Sequence, residues 1–454
     1  MPHYRQNCRV KLAFSLFSQF SVMSSQRRFL FLQGPHGPFF RQIAAALRKS
    51  GADVWRVGFN AGDAAFWWRS PGYLPFRDSP DAWPSALAHI LRDKQITDIV
   101  LYGDTRPIHA EAVRQARATG LRIHVFEEGY LRPYWVTYER GGSNGHSQLL
   151  SLSIADMRAH LAQPGQDQPT PPSHWGDMRQ HIFYGALYHW FVMFRNARYP
   201  QFRPHRALPV RTEAQLYTGR LLMMPVMALL RGLATLRIKA GGYPYHLALL
   251  QLEHDSSFQI HSPFRDMESF IDMVITGFAK GAPAGHHLVF KTHPLENGRK
   301  PLHRLIRQAA AAQGIAHRVH FVRGGKLARL LDSALSAVTV NSTAGQQVLW
   351  RGIPLRIFGA AVYDKPQFVS DQPLPAFFAA PRPPDTQAYR DFRQFLLQTS
   401  QVPGGFYSAK GRRNLIRHLA PMMLADVGPY AARHGDDQAR DLQTGALAKI
   451  QRVA

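Results

Sequence analysis

The stretch LRIHVFEEGYLRPYWVTYER, residues 121–140, decides the fold. Leu121, Ile123, Val125 and Phe126 form an apolar, partly β-branched run of the kind that makes a buried strand. The run ends in two carboxylates, Glu127 and Glu128, followed by Gly129. In open α/β sheets ligands bind at the carboxyl edge of the strands, so acids placed there are candidates for chemistry. Arg132, four residues beyond the second acid, adds a cation to the same loop. A structural ion pair closing a strand end is the plainer alternative, and the rest of the chain has to decide.

Upstream, residues 28–33 (RFLFLQ) predict a first strand. A Gly34-Pro35-His36-Gly37-Pro38 turn follows, then a helix with Phe40, Ile43, Ala44 and Leu47 on one face and Gly51 at its end. Gln33, Gly34 and Gly37 are candidate substrate contacts. The turn is only loosely a phosphate loop, because its prolines lack the amide donors a phosphate cradle uses. A second strand at 53–60 runs into Asn60, Gly62 and Asp63, and Asp63 joins the candidates. The aromatic loop at 64–80 reads either as a packed lid or as a surface for sugar or lipid. A helix at 83–94, a strand at 96–102 and a helix opening at Pro107 complete the series. Four strands alternating with helices predict a parallel, doubly wound lobe over residues 24–165.

Downstream, Pro, Gln, Asp and Ser dominate residues 160–180, which read as a linker. Residues 166–243 form a helical linker region whose large apolar side chains and arginines suit a basic amphipathic surface for anionic lipid, or else ordinary packing helices. A second alternating series spans 244–380, with strands at 246–252, 288–291, 319–322, 337–340 and 355–358. The helices between them fall at 264–280, 301–313, 326–335 and from 344. Helices at 381–425 and a frayed tail at 426–454 close the chain. The fold class is therefore α/β: two Rossmann-like lobes facing a cleft, joined by a helical linker region.

Composition narrows the partners. The 454 residues are too many for one ordinary core and suggest two domains of roughly 150–200 residues each. A formal charge of +25 favours an anionic partner. The basic residues are spread along the chain without a zinc-finger, RNA-recognition or basic-zipper pattern, so no nucleic-acid partner is expected. The single cysteine, Cys8, excludes an intrachain disulfide framework and suits a reducing compartment. Residues 1–23 lack a small-residue cleavage site and read as a disordered or misassigned extension. No run reaches the ~20 apolar residues of a membrane span, so a cytoplasmic protein is expected.

Four strand-end loops then ask for one explanation. Asn341-Ser342-Thr343-Ala344-Gly345 places small hydroxyl residues at a helix start, where backbone N–H groups receive a phosphate, although plain capping uses the same residues. Lys291-Thr292-His293-Pro294 offers a cation, and a histidine able to stabilise or protonate a leaving phosphate. Gln251 with Asp255 and Ser256 supplies a third polar loop of the second lobe. Glu127 and Glu128 would face these three from the first lobe.

The strings LQGPHGPFF, FEEGYLRPYWVTYERGGSN, LQLEHDSSFQIHSPF, KTHPLENG, NSTAGQQVLWRGIPLRIFGAAVYD and QVPGGFYS occur in consistent order between Phe29 and Tyr407. Together they resemble the capsule polysaccharide Kdo transferases of the KpsS/KpsC type. The resemblance implies a GT-B-like fold and retaining transfer from CMP-β-Kdo. For the KpsS-like form it implies a lysophosphatidylglycerol acceptor at the inner face of the bacterial inner membrane, where the linker of a capsular polysaccharide begins. It makes Glu128 the nucleophile or essential carboxylate, set by Glu127 and Arg132, although the KpsC-type modules usually carry Asp at that position. It gives His293 the leaving CMP phosphate, helped by Lys291, Pro294, Asn341, Ser342, Thr343 and Gly345. No acidic metal triad is evident in the sequence, so no metal or other cofactor is expected. Other capsule assembly proteins are natural partners. A non-catalytic binding or export subunit, and a transferase using a different nucleotide sugar, are the competing expectations.

Overall fold

In the computed structural model, residues 26–162, 177–203 and 210–431 are described, apart from positions 295, 297–299 and 325. The expectations for residues 1–23 and for most of the 160–180 linker lie outside them. Among the described residues the strands form two sheets. The first contains β1 (Arg28–Phe31), β2 (Asp53–Gly58), β3 (Tyr73–Pro75), β4 (Asp98–Tyr102), β5 (Arg122–Glu128), β6 (Trp135–Arg140) and β12 (Gln401–Pro403). The second contains β7 (Tyr245–Leu249), β8 (His287–Lys291), β9 (Val319–Val322), β10 (Ala334–Thr339) and β11 (Leu355–Ile357).

The parallel part of the first sheet has the order β3-β2-β1-β4-β5, and the second sheet has the order β9-β8-β7-β10-β11. Both are the same doubly wound pattern, in which the strand order reverses between the first and fourth strands. The reversal opens a crevice at the carboxyl edge of β1 and β4 in one lobe, and of β7 and β10 in the other. Two such lobes make the fold GT-B-like.

The first lobe departs from the four-strand expectation. After Glu128 the chain turns through Gly129 and returns as β6, antiparallel to β5, with Glu128 opposite Val136. A Cβ on Gly129 would lie 2.2 Å from the Trp135 carbonyl oxygen, so the turn is closed tightly enough to require glycine. β3 lies in the aromatic loop, and that loop is packed: Trp67 is buried while Trp68 is exposed. β12 pairs antiparallel with β6, so the chain returns to the first lobe after completing the second. Residues 381–425 are therefore not helices alone. The tail is also ordered a little further than expected. Asp426 accepts from Arg122, and the buried Tyr430 stacks on Phe395 at 5.8 Å.

One hydrophobic core runs across the lobe boundary, combining Tyr130, Leu131 and Trp135 with Leu247, Val348 and Phe392. The Lys365 ammonium adds a polar tie, donating to the carbonyls of Leu149, Leu150 and Leu152 at 2.6, 3.1 and 2.7 Å. The linker helices Asp177–Phe194 and Val210–Ala240 differ from the amphipathic expectation by being apolar on more than one face. In the first, Tyr184, Tyr188 and Val192 turn inward, while Met178, Ile182, Phe183 and Phe194 are exposed. Among the described residues no helix is long and apolar enough to cross a membrane.

Candidate functional site

Adjacent strand residues point to opposite faces of a sheet, and this separates the two acids at the end of β5. Glu128 lies against the phenols. Tyr102, the last residue of β4, and Tyr407, from the loop after β12, each donate to its Oε1 at 3.2 Å. Glu127 turns toward the second lobe. Asn144 donates to its Oε1 at 3.3 Å, and the same oxygen lies 3.0 Å from where a Cβ on Gly103 would sit. Gly103 has φ of 68°, so a side chain there would meet both backbone strain and this carboxyl. Burial, then the neighbouring Asp104, Asp255 and Glu128, push the Glu127 carboxyl up to about 8, against the pull of Arg106. Glu127 therefore holds a proton at neutral pH and can exchange it near pH 8.

Asp255 reaches this acid from the second lobe, at the start of the helix Ser256–His261. The far end of that helix also meets the first lobe: the His261 ring stands edge-on to His146 at 4.8 Å. His146 Nδ1 lies 3.1 Å from the buried Asp104 Oδ2, which also accepts from the Ser143 amide at 3.0 Å. Asp104, Asn144, His146 and His261 thus belong to the site, although none was a sequence candidate. A usable signal existed for Asp104, which follows β4 at the switch point opposite Gln33.

In the second lobe, Gln251 and Asn341 mark the switch point. The Gln251 amide donates to Asn341 Oδ1 at 2.8 Å, and the Asn341 backbone N–H donates to Gln251 Oε1 at 2.9 Å. The Asn341 side-chain amide donates to the carbonyls of Ser257 and His261 at 2.8 and 3.2 Å, fixing the loop that carries Asp255. Lys291 ends β8, is buried, and has its ammonium pulled down to about 8 by desolvation and then by Arg231. His293 and Pro294 follow it directly, and Thr292 Oγ1 accepts from the Gly324 amide at 2.9 Å.

The hydroxyl loop lies between these elements and the acid turn. Ser342 Oγ accepts from the Ala344 amide at 3.2 Å, and Thr343 is half-buried beside it. Gly345 is required because its Cβ would fall 2.6 Å from the Tyr363 hydroxyl oxygen. The next residue, Gln346, donates to the Tyr130 carbonyl at 2.9 Å, two residues beyond Glu128 in sequence. The hydroxyl loop and the acid turn are thereby held together across the lobes.

The remaining candidates have local partners. Asp63 is buried and accepts from Arg56, Gln33 and the Phe59 amide at 3.1, 3.1 and 3.0 Å. Tyr188 donates to it at 3.4 Å, so this carboxylate also anchors the linker helix. Gly34 leaves room for the Phe40 ring, which a Cβ would approach to 2.5 Å, and Gly37 faces Tyr184 with φ of 122°. Exposed Arg132 donates to the Gly129 carbonyl at 3.2 Å within its own turn. The cation acting on Glu127 is Arg106, which also lies 3.5 Å from Gln33 Oε1. Ser256 begins its helix, and its side chain is outside the described set.

Comparison with known proteins gives a consistent pattern. A family model described as capsule polysaccharide biosynthesis protein matches residues 97–407. The capsule polysaccharide export protein KpsS of Escherichia coli is 32% identical over 392 residues, covering 85% of this chain and 98% of that protein. The capsule polysaccharide modification protein LipB of Neisseria meningitidis serogroup A is 32% identical over 405 residues, covering 86% of this chain and 93% of that protein. Among solved structures, the β-Kdo 2,7 transferase of Thermosulfurimonas dismutans KpsC aligns with a TM-score of 0.40 and 11% identity, covering 80% of this chain and 89% of that one.

Proposed function

The chain belongs to the capsule polysaccharide biosynthesis protein family, and from that premise we propose that it is a retaining glycosyltransferase. The donor is CMP-β-Kdo and the acceptor lysophosphatidylglycerol or a related lipid at the inner face of the inner membrane. The reaction starts the linker of a capsular polysaccharide. The observation that carries this reading is the arrangement across the lobes. A half-buried carboxyl, whose pKa burial and neighbouring acids raise, stands with its neighbour at one sheet edge, and Gln346 ties their turn to the hydroxyl loop of the other lobe.

Each group then has a chemical task. Lys291, His293, Ser342 and Thr343 bind and stabilise the phosphate of the leaving CMP. Glu128, oriented by Tyr102 and Tyr407, attacks the anomeric carbon as the bond to the CMP phosphate breaks. The acceptor hydroxyl next displaces Glu128, giving its proton to Glu127, whose value near 8 suits a general base at neutral to mildly alkaline pH. Asp104, through His146, orders the loop that carries Asn144 and its contact to Glu127. The sequence of steps uses no divalent cation, so chelation should leave the rate unchanged.

The test is product formation by the purified protein with CMP-Kdo made in situ and a short-chain lysophosphatidylglycerol. Mass spectrometry should find one added Kdo, abolished by Glu128→Gln and by His293→Ala. A folded protein that binds CMP but adds no sugar would redirect the reading to another acceptor or to a binding subunit. Stabilisation by uridine rather than cytidine monophosphate would change the donor.

A further inference from the structure

The helix Val210–Ala240 carries an outer face with no protein partner among the described residues. Val226, Leu229, Leu230, Leu233 and Leu236 are 47–65% exposed and follow one another at helical spacing. At 100° per residue they fall within a single arc, while Ala234 and buried Ile238 face inward. Soluble proteins rarely leave so continuous an apolar stripe in water. Mutual cover by the two linker helices does not account for the first helix either, since Ile182, Phe183, Trp190 and Phe194 are also exposed.

Charge identifies what covers this surface. The described side chains from 178 to 203 and from 223 to 240 include exposed Arg179, Arg195, Arg198, Arg203, Arg237 and Lys239, and no acid. An apolar face set among cations, with Trp190 exposed on the neighbouring linker helix, has the chemistry of a bilayer interface rich in anionic lipid.

A cavity joins the stripe to the body of the protein. About 280 Å³ in volume, it is lined by Leu230, Arg231, Ala234, His303, Phe321 and Arg323. Leu230 belongs to both the stripe and the cavity wall, so an apolar chain lying along the helix can continue into a chamber bearing two guanidinium groups. A Cβ on Gly324 would lie 3.3 Å from the Pro294 Cα and 3.8 Å from the Arg231 Cδ, which places the chamber beside the proposed donor loop.

We propose that the outer face of helix Val210–Ala240 seats on an anionic bilayer, with the Arg231–Arg323 cavity receiving the phosphate of one lipid headgroup. This deepens the lipid-acceptor reading, and only the supply of acceptor to the transfer site depends on that reading. The docking itself is measured without donor or transfer.

The full chain is floated with vesicles of phosphatidylcholine alone and of phosphatidylcholine mixed equally with phosphatidylglycerol. Binding is expected to the mixed vesicles, at least about tenfold stronger than to the neutral ones. The double variant Leu229→Glu, Leu233→Glu should lose about tenfold or more of that binding. Arg323→Ala should weaken it severalfold with the stripe intact. Excess glycerol phosphate should weaken vesicle binding no further than Arg323→Ala does, because it competes only for the cavity; glycerol phosphate that binds the free protein yet leaves vesicle binding unchanged would assign the cavity to a free phosphate and overturn the headgroup assignment. Circular dichroism checks the fold, and transfer to a water-soluble short-chain acceptor should survive in the stripe variant. Equal flotation of wild type and stripe variant would overturn the proposal. So would a wild-type dimer or a stoichiometric protein complex that the stripe variant dissolves, since another protein would then cover the face.

Discussion

Glu127 and Lys291 make the pH dependence of transfer a direct test of the mechanism. Burial and three carboxylates raise Glu127 to about 8, while burial and Arg231 lower Lys291 to about 8. The proposed base must be deprotonated and the phosphate-binding ammonium protonated, so the two titrations oppose each other. The product of the two fractions gives kcat/KM a bell centred near pH 8, about threefold lower one unit away and about 25-fold lower two units away. Glu127→Gln should cost about 100- to 10,000-fold in rate and remove the acidic limb. Lys291→Arg, whose charge does not titrate in this range, should remove the alkaline limb and keep the acidic one. The assay is the initial rate of Kdo addition between about pH 6 and 10, with thermal melts at each pH to separate chemistry from unfolding. A wild-type profile flat across this range would refute the reasoning. Retention of the acidic limb in Glu127→Gln would assign the base elsewhere, and His146 would be the next group to substitute.

Four further outcomes follow from groups that take no direct part in the transfer step. Buried Asp98 accepts from Arg27 at 2.8 and 2.5 Å and from His124 Nε2 at 2.8 Å, so Asp98→Ala should cost about 3–5 kcal/mol, read from urea denaturation. Those contacts hold the Asp98 carboxyl below its usual range, and burial pushes His124 down to about 4. Stability should therefore fall from about pH 6.5 toward 4 as unfolded histidine gains protons, and further below about pH 3.8 as Asp98 is neutralised. Glu139 has the opposite sign: burial raises it to about 8, so its stabilising contribution is complete below about pH 4.5 and is lost as pH rises toward 8, at up to about 1.4 kcal/mol per unit. Glu139→Gln should flatten that slope, and a melting temperature no less pH-dependent than wild type would contradict it. Gln346→Ala removes the tie from the hydroxyl loop to the Tyr130 carbonyl; it should cost about 1 kcal/mol in stability, and a loss in kcat/KM larger than that energy explains would mark lobe registration as its main role.

The sequence was most readable where burial dominates. The apolar runs of β1, β4, β5, β7, β8 and β10 are covered on both faces, and such strands are visible as short hydrophobic segments between turn residues. β6 was missed because its neighbour Pro133 suggests a loop, and because five of its six residues are buried, leaving no alternation to read. β12 is three residues long and is defined by the distant partners Thr137, Val136 and Trp135 on β6, so no local pattern encodes it. Asp63 shows the converse failure. A polar residue at a strand end reads as a ligand contact, yet this one is occupied by Arg56, Gln33 and a backbone amide. His146 and His261 were invisible among 22 histidines because only the approach of the lobes brings their rings together.

The hairpin that sequence reading missed is what differentiates the two adjacent acids. A strand running on into an open loop would leave Glu127 and Glu128 equally exposed to water. The return of β6 instead fixes their alternation, with Glu128 opposite Val136 and Glu127 opposite Thr137. One carboxylate is thereby committed to two phenols. The other faces a crevice where Asp104 and Asp255 oppose its ionisation from separate lobes. Because Asp255 arrives on the second lobe, opening the crevice would relieve part of that opposition and lower the Glu127 pKa. On the proposed mechanism this ties the proton affinity of Glu127 to lobe position: an acceptor that parted the lobes on entry would find a carboxylate with less opposition from Asp255. Substituting Asp255 with Asn should move the acidic limb of the rate profile to lower pH with Glu127 still in place, and an unmoved limb would show that closure and proton affinity are independent.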